Sequence, residues 1–188
     1  MAKYPVSKLV PPRELAQYKN GRIPAHAMRE ITSGGQMFWR AAIAYNLMWD
    51  AAKRSGIILD CSSNPYRTFD QQLELFNRRY SKTKTGRKPV ITRTYLGHTW
   101  WLKAGYAPCA APGESDHGWG LAFDADTTIP GAFEWLCIHG PQWGYTLQSG
   151  PRTRWGRRNP NYEPWHWQYV MGDKFTTRVA NRLKAAYG

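Results

Sequence analysis

The chain of 188 residues has no run approaching the roughly 20 uninterrupted apolar residues that a membrane-spanning helix needs. Its first 30 residues carry Lys3, Lys8, Arg13, Glu14, Lys19 and Arg22 and no apolar segment of the secretory-signal kind. A soluble chain without a signal peptide is the expectation. Cysteine is scarce: Cys61, Cys109 and Cys137 are odd in number and form no C-x-x-C pair. That argues against a disulfide framework and a thiolate metal cage, and leaves packed, reduced thiols. Neither an internal repeat nor a low-complexity tract is present.

Carboxylates are also scarce, 13 Asp+Glu against 26 Lys+Arg, for a formal charge of +13. From Leu75 to Gly113 there is none, against eight basic residues: Arg78, Arg79, Lys82, Lys84, Arg87, Lys88, Arg93 and Lys103. This stretch alone carries +8, and it is expected to form a mobile basic loop on the body of the protein. So large a surplus suggests an anionic partner such as nucleic acid, a membrane surface or bacterial wall polymer, without choosing among them.

Apolar material is plentiful. Hydrophobic residues make up 42% of the chain and aromatics 14%, with 10 Trp and 11 Tyr, enough for one well-buried core. Residues 1–35 contain Pro5, Pro11, Pro12, Pro24 and Ser33-Gly34-Gly35, so they read as an extended lead-in packed on the domain, with a short helix near 25–32. Residues 36–188 then form a single domain. A helix is expected from Gln36 to Arg54, stopped by Ser55-Gly56, and a buried strand at Ile57–Leu59. A second helix runs from Thr68, its cap, to Tyr80. Helices are expected again at Phe133–His139 and Lys174–Tyr187. Gly140–Leu147 reads as a loop and short strand, and Ser149–Asn161 as a Gly/Pro/Arg-rich loop.

Two segments carry chemistry. In Ser115-Asp116-His117-Gly118-Trp119-Gly120-Leu121-Ala122-Phe123-Asp124 the odd separation of His117 and Asp124 would send them to opposite faces of a continuous strand. They meet if His117 sits at a turn, the glycines reverse the backbone, and Leu121–Asp124 continue as a strand. In Tyr162-Glu163-Pro164-Trp165-His166, Pro164 pushes Glu163 out of the helical region, so Glu163 sits at a bend and His166 starts a strand. A catalytic zinc needs three protein ligands, an open position and a nearby carboxylate base. His117, Asp124 and His166 supply the ligands, and Glu163 the base. Asp126 shares strand parity with Asp124 and is the alternative ligand. His26, His98 and His139 stand alone and read as surface or packing residues. Trp119, Trp165 and Trp167 adjoin the ligands and read as walls of the site or as core.

The patterns S-x-H-x-x-G-x-A-x-D (Ser115 to Asp124) and E-x-W-H (Glu163 to His166) resemble those of the zinc D-Ala-D-Ala carboxypeptidase family of the VanY type, which includes L-alanyl-D-glutamate endopeptidases of phage endolysins. A third element, Tyr66-Arg67-Thr68 followed by Gln72, is similar to the family's Y-R-[ST]-x-x-x-Q. The three lie in the family's order and span roughly residues 57–170. One departure is Pro65, where members usually have Gly. The basic stretch after the arginine element is a variable region of the family.

The resemblance implies an α+β fold: a small antiparallel sheet carrying the zinc site, flanked by helices. It implies one Zn2+ per chain on His117, Asp124 and His166, with Glu163 as general base. Arg67 would hold a substrate carboxylate or stabilise the oxyanion, and Gln72, Ser115 and Trp165 would bind substrate. The implied reaction is hydrolysis of a stem-peptide bond in peptidoglycan, as carboxypeptidase or endopeptidase. With no signal peptide, a phage lysin acting from the host cytoplasm or the virion tail is expected, its partners peptidoglycan and anionic wall polymer rather than nucleic acid, and a monomer is favoured. The competing reading is a non-catalytic basic module that grips wall polymer or nucleic acid around a structural or vestigial zinc site.

Overall fold

The computed structural model describes residues 4–152 and 157–187. Within the expected 149–161 loop, residues 153–156 thus lie outside the described residues. Among the described residues, three small antiparallel sheets and four α-helices make an α+β fold. Among the described residues no helix is long and apolar enough to cross a membrane.

Residues 25–32 do not form the expected helix. Ala25–Ala27 make a single 3-10 turn, and β1 (Met28–Glu30) pairs with β2 (Gln36–Phe38) in the register Met28↔Phe38. Gly34 and Gly35, at φ of 90° and 84°, turn the chain between the two strands, a conformation that L side chains rarely adopt. With residues 36–38 taken by this hairpin, α1 begins at Trp39 and runs to Arg54. Its buried face is Ala41, Ala42, Ala44, Tyr45, Met48 and Ala52, at the helical spacing legible in the sequence. Past α1, the expected strand at Ile57–Leu59 is absent. Ile58 is exposed, and the first pairing is a lone bridge from Cys61 to Ala125.

The sheet under the candidate site has the order β6-β8-β7, from β6 (Ala122–Asp124), β8 (His166–Tyr169) and β7 (Tyr145–Leu147). Its inner aromatics Phe123, Tyr145, Trp167 and Tyr169 are fully buried with Met37, Phe38 and Tyr45 in the main core. The lead-in covers the free side of β7: Leu147 N donates to Pro5 O at 2.9 Å, and Gln168 Nε2 to Ser7 O at 2.6 Å. Helices α3 (Ala132–His139) and α4 (Thr177–Tyr187) contribute Trp135, Leu136 and Val179 to the same core.

Helix α2 (Phe69–Arg79) starts as the sequence predicts. Thr68 Oγ1 accepts from Gln71 N, and the Gln71 side chain accepts from Thr68 N, a complete capping box. The basic stretch that follows is not a mobile loop. β3 (Tyr80–Ser81), β4 (Thr92–Tyr95) and β5 (His98–Leu102) form a sheet of order β3-β5-β4, with Leu96 and Gly97 at positive φ in the tight turn. This sheet closes over a second core of Phe76, Tyr80, Leu102 and Ala111. Phe76 stacks on Tyr80 at 4.7 Å and meets Trp100 edge-on at 5.1 Å. Tyr95 and Trp100 pack against this core, and residues 82–91 and 103–113 lie outside regular structure.

Candidate active site

His117 lies in the 3-10 turn Asp116–Trp119, which ends at Gly120 with φ of 64°. The chain thereby reverses before β6 begins, which is how His117 and Asp124 come to one place despite their odd separation. The two glycines act differently. Gly120 supplies the left-handed residue, whereas a Cβ at Gly118 would lie 2.1 Å from Asn20 Oδ1. Asn20 has to be that close because its Nδ2 donates to Ser115 O at 2.7 Å, while Gly21 N donates to Gly118 O. The lead-in is thus a buttress of the turn.

On the sheet, Asp124 of β6 is directly opposite His166, the first residue of β8. His117 Nδ1 donates to Pro65 O at 2.9 Å, which directs its Nε2 into the site. That contact uses only a backbone carbonyl, so it does not depend on the side chain at position 65. His117 Nε2 is 3.3 Å and His166 Nδ1 3.1 Å from Asp124 Oδ1. One donor atom from each of the three residues lies within 4.8 Å of the others. Two imidazole nitrogens and a carboxylate oxygen form a donor set suited to a divalent ion of zinc type. Asp126 is not part of it. β6 ends at Asp124, and the Asp126 carboxylate turns back to accept from Thr128 N and Oγ1.

Opposing effects set the charge states. Burial alone would raise Asp124, but its hydrogen bonds to His117 and His166 hold it well below the usual carboxylate range. Burial would lower His166, yet Asp116 and Asp124 outweigh it and raise its pKa to about 9. Glu163 is moved up, chiefly by burial, while His166 opposes the shift. Burial lowers Arg67, with Asp124 opposing.

These groups line a cleft of about 760 Å³. Arg67, Ser115, Glu163 and Trp165 all line it. Gln72 does not line it. That side chain is 2% exposed, its Oε1 accepting from Arg67 Nη1 at 2.9 Å and its Nε2 donating to Ala110 O at 2.6 Å. Gln72 therefore stands behind Arg67 rather than facing a substrate. Of the three tryptophans, Trp165 alone is a wall. Trp167 is fully buried beneath the sheet and Trp119 packs on the main core.

Among the charged residues of the cleft that sequence reasoning did not assign to the site are Asp116, Arg79 and Arg93. Asp116 Oδ2 lies 3.6 Å from His166 Nε2, behind the ring, and also accepts from Gln148 Nε2. Its signal was a carboxylate inside the histidine motif. Arg79 and Arg93 also line the cleft, and the acid-free stretch was their only trace in the sequence.

An α+β scaffold whose small sheet sets two histidines and an aspartate around one point, with a half-buried glutamate beside them, defines a metallohydrolase type of site. The chain belongs to the D-alanyl-D-alanine carboxypeptidase family, VanY, whose family model matches residues 36–173. It is 30% identical over 141 residues to the putative carboxypeptidase YodJ of Bacillus subtilis (strain 168), a match covering 69% of this chain. The match spans 45% of the length of that curated relative. Two solved structures share the fold. A Zn(II) complex of a variant of the vancomycin-resistance D,D-pentapeptidase VanY from a VanB-type cassette superposes with TM-score 0.52 at 24% identity, covering 86% of each chain. VanYB in complex with D-alanine-D-alanine gives 0.54 at 22% identity, covering 95% of this chain and 92% of the other.

Proposed function

We propose that the chain is a zinc-dependent peptidoglycan carboxypeptidase that removes the terminal residue of the stem peptide. The observation that carries this reading is the convergence of His117 Nε2, Asp124 Oδ1 and His166 Nδ1 beside Glu163 in one cleft. Family membership supports it, as do the zinc and the D-alanine-D-alanine bound by the two structural neighbours. When bound, zinc supplies a Lewis acid and lowers the pKa of a coordinated water to about 7.

The remaining work falls to the chain's own groups. Glu163, with its proton affinity raised by burial, accepts a proton from the attacking water and passes it to the leaving amine. Arg67, held by Gln72, offers its free N–H groups to a substrate carboxylate or the developing oxyanion. Ser115 and Trp165 shape the cleft around the peptide. The +13 charge suits work against an anionic wall, and a lysin acting on such a wall as a monomer is part of the proposal.

Mass spectrometry of muropeptides incubated with zinc-loaded protein tests it, with a chelated sample in parallel. Chelator-sensitive loss of one terminal alanine is expected. Cleavage within the stem would reassign the enzyme as an endopeptidase, and intact muropeptides from walls of several chemistries would overturn the reading. If the lysin role holds, added protein also lowers the turbidity of susceptible cells.

A further inference from the structure

The cleft holds more guanidinium groups than one substrate carboxylate requires. Arg67, Arg79 and Arg93 all line it, each half-buried. Among the described residues none of the three has a carboxylate within 4.0 Å, although Glu114, Asp116, Asp124 and Glu163 line the same cleft. Neutral groups hold them in place instead. Arg79 Nη1 donates to Ala107 O and Pro108 O, both at 3.2 Å. Arg93 Nε donates to Cys109 O at 3.2 Å, and its Nη1 to Thr92 O at 3.1 Å. Consecutive carbonyls of residues 107–109 thus fix the second and third guanidiniums side by side, with Arg79 Nε and Nη2 and Arg93 Nη2 left for an outside acceptor. The charges of all three arginines bear on the half-buried Cys109 thiol, whose pKa burial pushes up and they oppose. Guanidinium N–H groups left unengaged in a partly desolvated cleft make charge-assisted hydrogen bonds to an anion.

We propose that Arg79 and Arg93 form a second anion subsite, so that the preferred substrate is an acidic peptide bearing a free carboxylate in addition to the one at its C-terminus. The inference rests on the peptidoglycan reading for the identity of the peptide. Stem peptides offer two such carboxylates, the α-carboxylate of a γ-linked glutamate and the side-chain carboxylate of a diaminopimelate. Both exist in amidated form, which removes the charge and little else. A guanidinium contact to a charged group corresponds to about 10- to 100-fold in kcat/KM.

The test uses four zinc-loaded reactions on synthetic stem pentapeptides with neither, either or both of these carboxylates amidated. Wild-type protein is expected to lose about 10- to 100-fold in kcat/KM on amidation of one of the two, which names the carboxylate bound. R79Q/R93Q is expected to bring the ratio between acidic and amidated peptide close to one. Because a damaged fold lowers both rates together, the ratio isolates recognition. Equal wild-type rates on all four peptides, or an undiminished ratio in R79Q/R93Q, would overturn the subsite.

If wild-type protein cuts none of the peptides, the functional reading fails, and calorimetric titration of the same four into E163Q still decides the subsite. Tighter binding of an acidic peptide, lost in E163Q/R79Q/R93Q, supports it. Equal binding of all four overturns it.

Discussion

Replacing Asp116 with alanine separates two opposed effects on metal binding. Asp116 Oδ2 stands 3.6 Å from His166 Nε2, on the side of the ring facing away from Asp124. A carboxylate behind a metal-binding imidazole holds the ring and raises its basicity, and its loss weakens metal affinity by about 10- to 100-fold, or ~1.4–2.7 kcal/mol. The same carboxylate also helps hold the metal-free ring protonated, to a pKa of about 9. At pH 7 zinc must therefore displace a proton from wild-type His166, and each unit of pKa above the working pH costs about 1.4 kcal/mol of affinity. Removing Asp116 returns part of that cost. Above pH 9 the wild-type ring is mostly neutral, so the positioning effect dominates. Competition titrations against a chromophoric chelator are expected to show Asp116→Ala about 10- to 100-fold weaker at pH 9.5. The difference narrows as the pH falls to 7. Equal affinities at pH 9.5 would refute the reasoning.

Three further predictions follow from the fold and the site. Phe76→Ala empties the centre of the second core, where Phe76 is 0% exposed against Tyr80 and Trp100, and is expected to cost about 3–5 kcal/mol in urea unfolding. A loss under 1 kcal/mol would show that the basic sheet does not depend on that core. Gly118→Ala drives a Cβ into Asn20 and is expected to cost about 1–3 kcal/mol, with zinc affinity falling as the 115–118 turn shifts. An unchanged melting temperature would show that the lead-in does not brace the site. In the metal-free protein His166 has its pKa raised to about 9, so its stabilising contribution is complete below the unfolded value near 6.5 and is lost as the pH rises through 9. Chemical denaturation of chelated protein at intervals from pH 6 to 9.5 reads this, and stability rising across that window would contradict it.

Legibility in the sequence followed locality. The α2 cap, the spacing along α1 and the bend before His166 depend on neighbours a few residues away, and each stands where the sequence predicts. The meeting of His117 and Asp124 was also legible, because an odd separation with two glycines admits a turn followed by a strand. That Gly118 makes room for Asn20, rather than turning the chain, was not, since the contact spans about a hundred residues. The β4–β5 hairpin was concealed by a Leu96-Gly97 turn that lacks the usual Asn-Gly signal. Its alternation over Thr92–Tyr95 acquires meaning only against Phe76 of α2. Arg79 and Arg93 enter the cleft through that packing, and Gln72 is drawn behind Arg67 by the Ala110 carbonyl. None of these is a local property. The 25–32 segment failed as a helix for the same reason, because β2 supplies a partner that composition does not reveal.

The most direct test of the account is to measure zinc stoichiometry and D-alanine release together for wild type, Glu163→Gln and His166→Ala. Wild type and Glu163→Gln are each expected to hold one zinc per chain, with Glu163→Gln slower by at least about 100-fold, and His166→Ala is expected to lose the metal. Wild-type turnover in Glu163→Gln, or full zinc retention in His166→Ala, would contradict it.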